Sequence, residues 1–327
     1  MMNGKGIYAA LSVAMLFWGL NVIAVKVLVT AYPSLTITAI RVTIAGLCVL
    51  LYTWWAEGFR NMNRQEWFYL FLAALTGVFG HHIFLAFGLK ETTGSNGSLI
   101  LSLNPLTTVV LAYLFLGERL TRLRSIGVAL GFAGVLTIVL RGADSGLPSV
   151  HLGDVLVFLG MLSQSVSFLA IRKILATVSV NQVTSYSFLM GGGLLFLTGY
   201  GVEAVSPLAV FGMLTPGMWL LLFTSAMIAT ALGGWIWNRG IRELGPGQTA
   251  VFINMTPFYG LVGSALFLGE SIGIAHMIGF VLIVGGVLLG SGWYEANRGK
   301  WARRKVTHNL DIDSSHGEFY NSSQNRN

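Results

Sequence analysis

Residues 105–118 read PLTTVVLAYLFLGE, and residues 257–270 read PFYGLVGSALFLGE. Both stretches begin with proline and end on Leu-Gly-Glu, and they lie 152 positions apart because 257 − 105 = 152. The same offset relates identical residues on either side of the two stretches: Trp67 and Trp219, Gly88 and Gly240, Gly127 and Gly279, Gly134 and Gly286. One spacing held from residue 67 to residue 134 indicates an internal duplication, so we interpret the chain as two related halves.

The composition is that of a protein embedded in lipid. Of 327 residues, 54% are hydrophobic and 10% are charged, and the mean hydropathy is +0.70. A soluble domain carries about 25% charged residues, so these charges are too few to cover a water-facing surface. The 41 glycines agree with this, because transmembrane helices pack closely on small residues. The net charge of +7 is explained by Lys and Arg on the cytoplasmic side of a membrane, and no binding to nucleic acid is predicted.

Ten segments are long and apolar enough to be predicted as membrane-spanning helices, which need about 20 mostly apolar residues. They cover residues 7–29, 34–55, 67–89, 95–116, 123–141, 153–174, 182–202, 217–238, 248–268 and 273–294. The sequence therefore predicts an all-α polytopic membrane protein with a five-helix repeat at 1–141, a connecting loop at 142–152 and a second five-helix repeat at 153–294. Residues 295–327 are polar, begin with basic side chains and are predicted to form a disordered cytoplasmic tail.

The distribution of Lys and Arg predicts the orientation of the helices. If the N-terminus is cytoplasmic, the outer side receives only Lys90 and Arg141 of the basic residues at the predicted loops. The inner side receives Lys5, Arg60, Arg64, Arg119, Arg122, Arg124, Arg172, Lys173, Arg239, Arg242 and the basic start of the tail. Both termini are therefore predicted to be cytoplasmic. Because five is an odd number, the second repeat is predicted to be inverted relative to the first. Inverted-topology repeats are common in secondary transporters, where they surround a binding site near the middle of the bilayer.

Short motifs in both halves resemble those of a known family. They are Trp18-Gly19-Leu20-Asn21, Ala39-Ile40-Arg41, the two runs from proline to Gly-Glu, and the glycine-spaced stretches 127–134 and 279–286. As a set they resemble the drug/metabolite transporter superfamily, specifically its EamA-type ten-helix permeases. The resemblance covers residues 7–293. It implies a carrier of the cell membrane, often an exporter of amino acids or other small metabolites, with a central cavity lined by both halves.

Polar and aromatic side chains within the predicted helices are candidates for the wall of a substrate cavity. Polar groups deep in a bilayer are costly and usually face protein or a watery cavity. The candidates are Trp18, Asn21, Arg41, His82, Asn104, Gln164, Trp235, Asn254 and Tyr259. Arg41 must find a carboxylate, backbone carbonyls or substrate, so it is either a structural anchor or a ligand for an anionic group. The aromatic residues either line the cavity or pack in the core and against lipid.

His81 and His82 are adjacent in the third predicted helix. Neighbouring side chains on a helix point about 100° apart, so the two cannot jointly bind a metal ion, and no metal site is predicted. One of them could titrate near neutral pH and serve as a coupling proton site. The alternative is that each histidine is a hydrogen-bonded packing residue.

The ends of the two repeated stretches carry further polar residues. Asn104 and Asn254 lie just before the two prolines, where each could satisfy a backbone carbonyl freed by proline or contact substrate. The prolines themselves are predicted to kink their helices. Glu118 and Glu270 lie where the chain leaves the membrane, so we predict that they fix the following helix through hydrogen bonds or ion pairs rather than carry protons.

The sequence contains no phosphate-binding glycine-rich loop, metal-ligand cluster or nucleophile elbow, so no catalytic residue and no cofactor is predicted. The expected function is secondary transport of a small-molecule substrate, with export by alternating access and a proton gradient or downhill flow as the driving force. Two alternatives remain open: a membrane-embedded enzyme or lipid-handling protein on a duplicated helical scaffold, and a channel. The sequence identifies neither the substrate nor an oligomeric state.

Overall fold

The computed structural model describes residues 4–116, 121–141, 151–244, 249 and 252–290, whose main helices are labelled α1–α10. Their bounds are Gly4–Ala31 (α1), Ser34–Ala56 (α2), Arg64–Glu91 (α3), Gly94–Leu101 with Asn104–Leu116 (α4), Arg122–Arg141 (α5), Leu152–Ile174 (α6), Val180–Glu203 (α7), Pro216–Leu244 (α8), Thr256–Leu268 (α9) and Ile274–Gly290 (α10). Each of these helices overlaps one of the ten predicted segments, which confirms the all-helical fold, although α9 begins at Thr256 and not at residue 248. The predicted tail at 295–327 and residues 142–150 of the predicted loop lie outside the described residues.

Most of the helices can cross a membrane. By length and composition, α1–α4, α6 and α8 pass this test singly. Helix α7 passes it together with the short helix Pro207–Met213, from which it is bent by 81°. Helices α9 and α10 are shorter apolar helices. Because α1–α5 and α6–α10 each contain an odd number of helices, the two repeats have inverted topologies, as the sequence predicts.

Helices α3 and α8 each contain a stretch of π-helix, Ala74–Gly80 and Ser225–Leu232. A π-helix bonds residue i to residue i+5, so each turn holds one residue more than an α-helical turn, and such turns are frequent at functional sites. Adding the repeat offset of 152 to 74–80 gives 226–232, so the two stretches occupy equivalent positions. Neither stretch is recognisable in the sequence as a break in the apolar pattern.

The two prolines of the repeated stretches restart helices rather than kink unbroken ones. Helix α4 is interrupted at residues 102–103, and a 3-10 turn, Phe252–Met255, precedes α9. Pro105 and Pro257 then occupy the first turns of Asn104–Leu116 and Thr256–Leu268. A first-turn residue needs no intrahelical N–H bond, which is why proline is tolerated there. The predicted kinks are therefore wrong: in each repeat an interruption of regular α-helix lies just before the proline.

The closest helix packing joins one repeat to the other. Helix α2 packs along α7, α5 along α10, α3 against α6, and α1 against α8 and α9. The largest apolar cluster accordingly mixes fully buried side chains of both repeats, such as Leu35, Leu99, Val157 and Leu222. The two repeats therefore form one folded unit and bury their apolar surface against each other.

Glycines allow α5 and α10 to approach within backbone contact. A Cβ atom on Gly286 would lie 2.6 Å from the carbonyl oxygen of Gly127 and 2.6 Å from the amide nitrogen of Gly131. A Cβ atom on Gly134 would lie 2.9 Å from the carbonyl oxygen of Gly279. The glycine-spaced stretches of the sequence are thus the surfaces through which these two helices touch.

A Gly286→Ala substitution is expected to destabilise the protein by about 1–2 kcal/mol, because the added methyl group must push α5 and α10 apart. The measurement is the melting temperature of the purified protein in detergent. Gly285→Ala is the matched control, since none of the described residues lies within 4 Å of a Cβ atom at that position. If both variants have the same melting temperature as the parent protein, the close approach of the two helices is contradicted.

Candidate functional site

A cavity of about 160 Å³ lies between the two repeats. Its described wall is formed by α1–α4 of the first repeat and α6–α9 of the second, so four helices of each repeat contribute. Both π-helical stretches reach the wall, through Gly77 and Val78 in α3 and through Ala229 and Thr230 in α8. The cavity therefore lies at the junction where inverted repeats are expected to place a binding site.

Six of the nine candidate residues from the sequence line this cavity: Trp18, Asn21, Arg41, His82, Asn104 and Gln164. They come from five helices and are brought together by the packing of one repeat on the other. The side chain of Asn254 lies outside the described residues, so its role stays a prediction. The structure adds further polar wall residues that the sequence analysis did not select, among them Thr230 and Asn238.

The structure places Trp235 and Tyr259 away from the described wall of the cavity. The indole N–H of Trp235 donates a hydrogen bond to Asn181 Oδ1 on α7. Tyr259 packs against α1, where a Cβ atom on Gly19 would lie 2.6 Å from the Tyr259 Cβ atom. Trp237, two positions after Trp235, lines the cavity instead.

Arg41 is a buried cation in the cavity wall, with 2% of its surface exposed. Its Nη1 donates to Thr230 Oγ1 at 2.6 Å, and its Nη2 lies 3.4 Å from His82 Nδ1. The hydrogen bond to Thr230 joins α2 of the first repeat to the π-helical stretch of α8 in the second. Within the described part of the wall there is no Asp or Glu to pair with this guanidinium.

Asn104 is the centre of a second polar group in the wall. Its Nδ2 donates to Gln164 Oε1 at 2.6 Å, and its Oδ1 accepts from Ser165 Oγ at 2.9 Å. The hydroxyl of Thr108 donates to the backbone carbonyl of Asn104 at 2.8 Å. The network connects α4 to α6 across the repeats at the point where α4 is broken.

Each repeat donates a hydrogen bond to a π-helical carbonyl of the other. Trp18 Nε1 on α1 donates to Ala229 O on α8 at 2.8 Å, and Ser163 Oγ on α6 donates to Thr76 O on α3 at 2.7 Å. Glycine makes room for the tryptophan, since a Cβ atom on Gly233 would lie 2.6 Å from Trp18 Nε1. The first helix of each repeat therefore supports the π-helical stretch of the opposite repeat.

Aromatic rings form one side of the cavity. The Trp237 ring lies 5.3 Å from the Trp18 ring and 5.1 Å from the Phe168 ring, measured between centroids. Trp237 is buried, and its indole N–H has no hydrogen-bond partner among the described residues. The wall thus combines an aromatic surface with a donor that the protein leaves unsatisfied.

A sequence model of the EamA-like transporter family matches residues 5–140 and again residues 151–292. The chain belongs to the EamA-like transporter family. The two matches fall on the two repeats, in agreement with the duplication. The protein is thus a multi-pass membrane transporter.

Named relatives agree with this assignment. The "Uncharacterized transporter YetK" of Bacillus subtilis is 27% identical over 87% of this chain and 86% of the relative. The "Probable terminal-alkyne amino-acid exporter" of Streptantibioticus cattleyicolor is 23% identical over 86% of this chain and 91% of the relative. A solved crystal structure has a TM-score of 0.65 at 22% identity, covering 90% of this chain and 99% of that one, and so shares the fold.

In this EamA-like transporter the end of the second repeated stretch has a structural role. Gly269 has φ +66°, in the left-handed region that glycine adopts readily, and it ends α9. Glu270 then accepts hydrogen bonds from Gly94 N at 2.8 Å, Ser95 N at 3.0 Å and Ser95 Oγ at 2.7 Å. The carboxylate thereby caps the start of α4 in the other repeat. Glu118, its counterpart, lies outside the described residues.

Proposed function

We propose that this transporter is a secondary carrier that moves a small organic metabolite across the cell membrane by alternating access. The observation that carries the proposal is the cavity of about 160 Å³ between the repeats, to which each contributes four helices. Because the repeats are inverted, rocking one against the other would open the same cavity to opposite sides of the membrane in turn.

The interruptions of the helices support this mechanism. The π-helical stretches Ala74–Gly80 and Ser225–Leu232, and the break at residues 102–103, all lie at or next to the cavity. Domain movements depend on a few residues that absorb changes in backbone angle. We propose these interruptions as the places where α3, α4 and α8 bend when the cavity changes sides.

We propose that the side chains of the described wall contact the substrate. They include the six predicted residues and three that the structure adds: Trp18, Asn21, Arg41, His82, Asn104, Gln164, Thr230, Trp237 and Asn238. The amides supply donors and acceptors for polar groups of the substrate, and the aromatic rings supply an apolar surface. A pocket of this kind fixes orientation with a few polar groups and gains affinity from apolar contact.

The proposed orientation has both termini in the cytoplasm. The basic residues near the ends of α2, α3 and α6, which include Arg60, Arg64 and Lys173, would then lie on the cytoplasmic side. Export is the favoured direction, because a relative is named an amino-acid exporter, and the same name favours amino acids or related compounds as substrates. The driving force would be a proton gradient or the downhill flow of the substrate itself.

A counterflow assay in proteoliposomes tests the proposal. Vesicles containing the purified protein are preloaded with single amino acids or organic acids, and uptake of the labelled compound is followed with and without a pH gradient. Saturable counterflow above that of protein-free vesicles is expected for one compound class. Flux that rises linearly to millimolar concentrations would indicate a channel, and no flux of any solute through folded protein would overturn the proposal.

A further inference from the structure

Arg41 carries a charge that the described wall of the cavity does not neutralise. Its two polar neighbours, the Thr230 hydroxyl and the His82 ring, are not anionic groups. The described lining residues include no Asp or Glu, and Arg41 is the one Lys or Arg among them. Removing a charge from water without a partner is costly. A binding partner with a single negative charge would offset this penalty.

Trp237 supplies a second, independent observation. Its indole N–H is buried and has no acceptor among the described residues, although it belongs to the same cavity wall as Arg41. Buried donors in native proteins are almost always paired, so an unpaired one calls for an explanation such as a missing ligand. The wall therefore has an excess of hydrogen-bond donors and positive charge, and its natural complement is an acceptor with negative charge.

The remaining wall restricts the rest of the ligand. Trp18, Trp237 and Phe168 form a continuous aromatic surface, with ring centroids 5.3 Å and 5.1 Å apart. A volume of about 160 Å³ is close to that of an apolar protein cavity that holds one benzene molecule. The space therefore fits a body of about one ring or a branched aliphatic group.

We propose that the substrate is a small organic monocarboxylate whose carboxylate pairs with Arg41 and whose aromatic or branched body packs on the rings of Trp18, Trp237 and Phe168. The planar guanidinium offers two parallel N–H donors to a carboxylate. A phosphate monoester carries a charge of about −1.5 to −2 at neutral pH, which one arginine does not balance. A cationic compound would meet Arg41, and no carboxylate lies among the described residues of the wall. This inference rests on the proposed function, because it assumes that the cavity is the transport site.

Three probes of the same shape test the inference by binding alone. They are 3-phenylpropanoate, 3-phenylpropanamide and 3-phenylpropylamine, which share one ring and one chain and carry a negative charge, no charge and a positive charge. Binding of each labelled probe to the purified protein in detergent is measured by equilibrium dialysis against protein-free micelles. The carboxylate is expected to bind at least tenfold more tightly than the amide and the amine.

Substitutions of arginine then identify the partner of the carboxylate. Arg41→Gln is expected to weaken binding of 3-phenylpropanoate at least tenfold and to change binding of the amide less than twofold, while Arg41→Lys restores part of the loss. Arg64→Gln is the control, because Arg64 is an exposed residue at the start of α3. The comparison of the three probes uses the parent chain and holds whether or not a variant folds.

Several outcomes would overturn the inference. These are equal or tighter binding of the amide or the amine, a preference for the carboxylate that survives Arg41→Gln, and no binding of any probe by protein that transports another solute. The proposed function is judged separately by counterflow. If the carboxylate binds but no solute is transported, the inferred anion site is supported and the proposed carrier function is contradicted.

Discussion

Replacing Trp18 with phenylalanine is expected to slow transport about tenfold or more while the protein stays folded. The ring remains in the cavity wall, but Ala229 O loses the indole N–H that it accepts at 2.8 Å. A hydrogen bond within a folded protein contributes about 0.5–1.5 kcal/mol. The lost bond joins α1 to the π-helical stretch of α8. Its loss therefore destabilises the conformation of the two repeats in which this bond is formed.

The measurement is the initial rate of counterflow for the solute identified in proteoliposomes, normalised to the reconstituted protein. Trp55→Phe is the matched control. It makes the same chemical change at a residue that is 80% exposed and does not line the described wall of the cavity. Ser163→Ala, which removes the reciprocal bond to Thr76 O, is expected to slow transport in the same way. A Trp18→Phe protein that transports at the parent rate would show that the bond has no part in the cycle.

Replacing Asn104 with leucine is expected to destabilise the protein by about 2 kcal/mol, because the substitution removes the hydrogen bonds to Gln164 and Ser165 at a buried position. Asn104 donates to Gln164 Oε1 and accepts from Ser165 Oγ, and it is 2% exposed. Leucine has similar size, so the loss reports on hydrogen bonds more than on volume. The melting temperature in detergent measures the effect.

A double variant separates this network from a general effect of leucine. Because Asn104 and Gln164 are hydrogen-bonded to each other, Asn104→Leu with Gln164→Leu should cost less than the sum of the two single changes, by about 0.5–3 kcal/mol. Asn61→Leu, at an exposed position before α3, is the control for an added leucine. Strict additivity of the two substitutions would contradict the coupling that the 2.6 Å contact implies.

The helices were predictable because the bilayer imposes a length and an apolar composition that the sequence records directly. The inverted arrangement was predictable for the same reason, since it follows from an odd number of helices in each repeat. The π-helical stretches and the break at residues 102–103 were not predictable. They change hydrogen-bond partners without changing the apolar character of α3, α4 and α8, so hydropathy carries no trace of them.

The candidate site was predictable at those positions where the membrane restricts which way a polar side chain can face. Arg41, Asn104 and Gln164 lie in the wall because a polar group in a membrane helix must face protein or a cavity. Trp235 was selected from the sequence, whereas the structure places Trp237 in the wall. Tryptophan is common both in protein cores and at membrane interfaces, so residue type alone does not separate the two positions. The π-helical stretch that precedes them adds to the difficulty, since one extra residue rotates the following face by about 100° from its α-helical position.

The matching π-helical stretches of α3 and α8 also bear on the order of events in the history of the gene. A π-helical turn contains one residue more than an α-helical turn, so an inserted residue produces it. Two separate insertions at positions 152 residues apart would be needed if the repeats had diverged first, whereas one insertion suffices if it preceded the duplication. The simpler order places the π-helical turn in the ancestral five-helix chain, so that this form of the third helix is older than the protein that now contains it twice.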